Sequence, residues 1–227
     1  MSISHALQDK VRSCFQDMTV YKHPTQNKFF ASLSIPPYLR DWMIMRFADE
    51  EGRVNLDEVR QFVKQHIPGK KDWELLKSSM INESQRVRFL AKLRVELDVR
   101  TGEGLFSLPD LGFPSRKHEA IVSTWVLRRH REELLSDTET WGVIECEWSP
   151  TGLSGKQGNG AIYMTDYKRF QPYNVDLEYF QGARREFSLD EWIDMLLMAV
   201  DYNPAGFLDI RQKLTLLSRL LPFVEKR

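Results

Sequence analysis

Residues 152–160, GLSGKQGNG, come nearest in type to a phosphate cradle. A Walker loop needs a glycine, four residues, then Gly-Lys-Ser/Thr between a strand and a helix, so that backbone donors and a helix N-terminus surround the phosphates. Here Gln157 follows Lys156, the first glycine is misplaced, and the pattern after the loop is that of a strand. The loop therefore reads as a hairpin tip that could present Lys156 to a phosphate. A second chemistry lies in the cations. Residues 86–131 carry ten Lys/Arg against five Asp/Glu, while residues 175–227 carry seven against nine. Arg86, Arg88, Lys92 and Arg94 share one face of a candidate strand, and Arg116, Lys117, Arg128, Arg129 and Arg131 fall on a candidate helix after it. Such a face suits sequence-independent contacts to a duplex backbone, which need cations without base-specific geometry. A half-exposed strand also needs a polar outer face in any case, and Arg and Lys serve that need equally well.

For covalent or metal chemistry the sequence offers little. His5, His23, His66, His118 and His130 are scattered, and the pair His118–Glu119 lacks a nucleophile with an orienting partner. Cys14 and Cys146 cannot close a four-cysteine zinc site, nor do they suggest a disulfide framework. No catalytic residue, metal or cofactor is expected in this chain.

The elements that must position the cations follow from periodicity. With 227 residues, 42% apolar, 28% charged and a formal net charge of zero, the composition is that of a globular protein and excludes disordered or collagen-like classes. The longest apolar run is 195–200, far short of the ~20 residues of a membrane helix. The N-terminus lacks a signal peptide's apolar core, so a cytoplasmic location is expected. Residues 1–85 read as a helical head. A first amphipathic helix contains Leu7, Val11 and Phe15, Pro36 and Pro37 open a second, and Asn55 and Asp72 cap two more. At Arg86 the period drops from 3.6 to 2. Val87, Phe89, Ala91, Leu93, Val95, Leu97 and Val99 alternate with Arg86, Arg88, Leu90, Lys92, Arg94, Glu96, Asp98 and Arg100, the pattern of a strand with one buried face. A hairpin return at 105–108, a helix from Ser115 to about Leu135, and strands at 141–148 and 161–168 complete a β-rich segment, 86–174. Residues 175–227 read as helical, with Ser188 capping one helix and a last one over 208–221 ended by Pro222. The fold class is thus α+β.

The block REFSLDEWIDMLL, followed by YNPAGF and LTLLSRLLPFVEKR, resembles the Lon-like BrxL family of bacterial BREX phage-defence systems. Upstream, SIPPYLRDWMIMRF, RVRFLAKLRVELD, SRKHEAIV, WGVIECEW and DYKRFQPYNVDLEYFQGARREF are collinear with it. The resemblance implies an N-terminal region similar to that of MCM helicases. It would comprise a helical subdomain, a middle like an oligonucleotide-binding (OB) barrel, and two helices leading into an AAA+ ATPase core whose phosphate loop would lie beyond Arg227. ATP and Mg²⁺ would then serve only the full-length parent. MCM-type zinc is not carried over, because the cysteines are missing.

On this reading the chain binds DNA, assembles weakly on its own and forms rings in the parent, with other BREX proteins as possible partners. Two competing readings remain open: a protein-substrate recognition domain of a Lon-like protease, and a purely architectural collar. For residues 1–85 plus the first hairpin, a winged-helix arrangement also fits.

Overall fold

A computed structural model of the chain describes residues 5–20, 22, 26–49, 52–136, 139–151, 160–172, 176–207 and 209–224. Along the chain run helices α1 (His5–Phe15), α2 (Asn27–Ser32), α3 (Pro37–Phe47), α4 (Leu56–His66) and α5 (Trp73–Asn82), then strands β1 (Val87–Leu97), β2 (Gly104–Ser107) and β3 (Ala120–Val122). Short helices α6 (Thr124–Arg129) and α7 (Arg131–Leu134) precede strands β4 (Thr140–Ser149) and β5 (Ala161–Arg169). Helices α8 (Leu177–Arg185), α9 (Leu189–Ala199), α10 (Ile210–Leu217) and α11 (Leu221–Val224) close the order. The fold is α+β.

Two compact units divide the chain: residues 46–172, and residues 1–45 together with 173–227. The segments 1–85, 86–174 and 175–227 follow changes of local pattern, whereas the compact units follow packing, which joins stretches far apart in sequence.

In the first unit the five strands close into a barrel in the order β1-β2-β3-β5-β4. The long strand β1 serves two neighbours. Its first half pairs antiparallel with β4, from Val87 opposite Cys146 to Leu93 opposite Thr140, and its second half pairs with β2, from Arg94 opposite Ser107 to Leu97 opposite Gly104. The parallel pairing of β3 with β5 closes the ring. A register shift between Glu145 and Cys146 bends β4 as a closing sheet requires. Phe89, Leu93, Val95, Phe106, Val122, Ile144 and Met164 fill the interior, and Trp73 of α5 joins them with its ring 4.8 Å from that of Phe113. Gly142 is required by close approach: a Cβ there would stand 2.5 Å from a ring carbon of Tyr167.

In the second unit α1 buries Leu7 and Phe15 in a cluster with Phe187, against which Trp192 and Met195 of α9 pack. Ser188 and Glu191 form a reciprocal capping box at the start of α9, as the sequence leads one to expect of Ser188. Glu191 also meets Lys10 at 2.8 Å, and this lysine holds its carboxyl below the ordinary range. Lys22 bridges Asp41 at 3.0 Å and Asp201 at 2.5 Å.

Several sequence expectations need correction, among them the cap assigned to Asp72, whose side chain makes no hydrogen bond to the first turn of α5 and accepts instead from the Gly69 N–H. The helix expected from Ser115 begins only at Thr124. Residues 120–122 are strand β3, since Ala120, Ile121 and Val122 are all buried where the barrel must close. The alternation from Arg86 to Arg100 fails at Leu90, which is buried on the face assigned to solvent, and at its far end, where Leu97 and Val99 are exposed and Asp98 is buried. Pro222 does not end the last helix; it sits in the first turn of α11, where its missing N–H costs nothing.

Candidate nucleic-acid interface

The cations on β1 and just before it are largely spoken for. Arg86 Nε lies 2.6 Å from Glu147 Oε2, and its guanidinium also reaches Glu145 at 3.9 Å. Lys92 Nζ sits between Asp110 at 3.0 Å and Glu139 at 3.2 Å; the hydrogen bond to Asp110, with Glu139 assisting, raises its pKa against the opposing effect of burial. Arg94 pairs with Glu96 on its own strand at 3.0 Å. Arg88 is exposed, with Glu145 as its cross-strand neighbour, and makes no ion pair among the described residues. A strand that looked like one basic face is thus mostly an alternating lattice of charge.

Lys117 is also engaged. Its Nζ lies 2.9 Å from Asp98 Oδ2, a carboxylate almost closed to solvent. Asp98 is held at about 2, first by Lys117 and next by the Arg100 backbone N–H, which donates to it at 2.8 Å. The Thr101 N–H donates to the same oxygen at 3.4 Å, and the Gly102 N–H donates to the Asp98 carbonyl at 2.7 Å. Asp98 therefore folds the turn between β1 and β2 around itself. His118, with φ at +67°, brings Nε2 to 3.4 Å from Asp98 and Nδ1 to 3.9 Å from Glu103. The sequence signal for this organiser was the spacing Asp98-x-x-Thr101-Gly102, an Asx-turn pattern.

Arg116, Arg128, Arg129 and Arg131 are exposed and make no ion pair among the described residues. The last three lie on α6 and α7, between β3 and β4. This segment is firmly seated. Val126 is fully buried and Leu134 nearly so, and Leu127 packs so closely that a Cβ on Gly104 would come within 3.1 Å of it. The His130 ring stands edge-on to Tyr167 at 5.1 Å. Trp125, which sequence reasoning passed over, is half exposed beside these arginines. Lys156 lies outside the described residues. Among the described residues no three His, Cys, Asp or Glu side chains gather as a metal site, and no helix is long and apolar enough to cross a membrane.

Fold and site together define an α+β protein built on a closed five-stranded barrel that carries an arginine-rich helical edge. Sequence comparison places it more narrowly. Residues 13–148 match the family described as BREX system Lon protease-like protein BrxL N-terminal, and residues 162–227 match Lon-like protease BrxL-like, ATPase domain. The chain belongs to the BrxL family. It is 25% identical over 196 residues to the Lon-like protease BrxL of Escherichia coli O9:H4 (strain HS), covering 85% of this chain and 27% of that protein. To the Lon-like protease BrxL of Bacillus cereus (strain H3081.97) it is 25% identical over 223 residues, covering 95% of this chain and 31% of the relative. The chain spans under a third of the length of these relatives. The ATPase-domain match begins inside β5, so the family boundary falls within the barrel.

Proposed function

We propose that residues 1–227 form the DNA-engaging and ring-assembling N-terminal region of a BrxL-like AAA+ protein of phage defence, acting in the cytoplasm. The observation that carries this reading is the set of exposed arginines on α6 and α7, the connection between β3 and β4 of the barrel, which make no ion pair among the described residues. The strand order and the parallel β3–β5 seam support an OB-type barrel. Barrels of that type take oligonucleotides across β2 and β3 and on the loops after β1 and β4. Exposed arginines supply the cations that phosphate contacts need without base-specific geometry, so binding should be sequence-independent. The likeness to MCM rings is part of the same proposal. Residues 1–227 contain no Gly-x₄-Gly-Lys-Ser/Thr pattern, so this chain by itself should not turn over ATP, and the nucleotide and its magnesium are assigned to the longer parent.

The test is fluorescence anisotropy with short DNAs of unrelated sequence at two salt concentrations, run against an unfolded polypeptide. Similar affinity across sequences, with log affinity falling by about 0.9 per neutralised phosphate for each unit of log salt, supports the proposal. Binding of the polypeptide alone favours the substrate-recognition reading that the family's Lon-like name invites. Discrete rings that bind neither ligand favour the collar.

A further inference from the structure

Trp125 is 50% exposed on α6. A lone exposed indole needs no explanation, but this one cannot roll inward. Its neighbour Val126 is fully buried and Leu127 is seated against Gly104, so the face that α6 turns to solvent is fixed. Arg128 and Arg129 stand three and four residues beyond Trp125, the two spacings that place side chains next to each other on a helix. The backbone then breaks at His130, with φ −116° and ψ 27°, and Arg131 follows. The carboxylates of the segment are Glu132, exposed, and Glu133, which turns to His130 Nδ1 at 3.6 Å.

An aromatic face next to exposed guanidinium groups that make no ion pair among the described residues fits one anionic partner better than others. Nucleic-acid bases present flat π-faces of their own, and stacking on an aromatic side chain tolerates any sequence. Guanidinium forks match the phosphates that link those bases. In a blunt duplex the base faces are covered by their neighbours, whereas a single strand or overhang leaves them open. We infer that Trp125 is a stacking platform for an unpaired DNA base, with Arg128 and Arg129 holding the adjoining phosphates, so that the α6–α7 face prefers single-stranded or overhanging DNA to blunt duplex. This rests on the DNA-binding reading above and adds to it a choice of strand state.

The experiment measures anisotropy of labelled oligo-dT and of a blunt duplex with the full chain and four variants at one salt concentration. The wild type should bind oligo-dT more tightly than the duplex. Trp125→Ala should weaken oligo-dT binding roughly tenfold and change duplex binding less than about twofold. Trp125→Leu, which keeps apolar bulk without a π-face, should behave like the alanine variant, and Trp125→Phe should restore most of the loss. Arg128→Gln with Arg129→Gln should weaken both DNAs. If the wild type binds both DNAs but the Trp125 variants match it on oligo-dT, the stacking inference falls while the DNA-binding proposal stands. If the wild type binds neither DNA, both fall. If polyglutamate competes as well as oligo-dT regardless of residue 125, the face takes acidic polypeptide and the inference is overturned.

Discussion

Strand β1 and the α6–α7 segment carry similar numbers of cations and differ in what surrounds them. On β1, antiparallel pairing brings β4 alongside, and with it Glu145 and Glu147 against Arg86, while Asp110 and Glu139 converge on Lys92. On α6 and α7 the buried residues Val126 and Leu134 turn Arg128, Arg129 and Arg131 outward with no carboxylate bound to them among the described residues. A cation count along the sequence treats these regions alike. A bound anion would not, because it must displace carboxylates at one, while at the other no carboxylate is bound among the described residues.

The largest expected effect tests that contrast directly. Replacing Arg128, Arg129 and Arg131 together by Gln should weaken DNA binding at low salt by tenfold or more and flatten the salt slope by about 0.9 for each phosphate that is no longer neutralised. The matching variant of β1, Arg86→Gln with Arg94→Gln, should leave affinity within about twofold. Equal losses in the two variants would erase the distinction.

A smaller effect sharpens it from the side of stability. Lys92→Met leaves Asp110 and Glu139 facing each other without their bridge, and should cost about 1 kcal/mol in urea unfolding, near the upper end for partly exposed pairs. Arg88→Met, with no ion pair to lose, should cost almost nothing. Because the folded-state pKa of Lys92 is raised above 10.5, its contribution is complete below that value and is lost as pH rises through the folded value. The gap between wild type and Lys92→Met should therefore narrow in strong alkali. The smallest effect concerns the turn after β1. Asp98 falls from 3.8 to about 2 on folding, so its contribution is complete above 3.8 and disappears as pH falls toward 2. Thermal melts of Asp98→Asn and wild type should differ at pH 5 and converge near pH 2. A gap independent of pH would remove Lys117 and the Arg100 N–H as the cause.

Local chemistry made some of this legible in the sequence. The strand after Arg86 and the Ser188 cap are decided by neighbours within a few residues, and both stand in the structure, although Leu90 breaks the alternation. Strand β3 was hidden because three apolar residues between turns also fit the start of a helix; what makes them a strand is pairing with β2 and β5, and β5 lies some forty residues away. The neutralisation of β1 was hidden for the same reason, since Glu145 and Glu147 reach Arg86 only through the β1–β4 register. Trp125 is not legible as exposed because one helical pattern absorbs it together with Val126, and it is the burial of Val126 in the folded barrel unit that leaves Trp125 facing outward.

The division into compact units has a consequence for synthesis on the ribosome. Residues 46–172 are contiguous, so the barrel can complete itself as soon as β5 emerges. Residues 1–45 belong with 173–227, and Leu7 and Phe15 find Phe187 only after the whole barrel has been made. At about 5–20 residues per second, the apolar face of α1 spends on the order of ten seconds without its partner. A chaperone that binds exposed apolar helices should therefore capture nascent chains halted before residue 173 and release those extended past α9. Within residues 1–227 the helical unit is thus the last to fold, although part of it is made before the barrel.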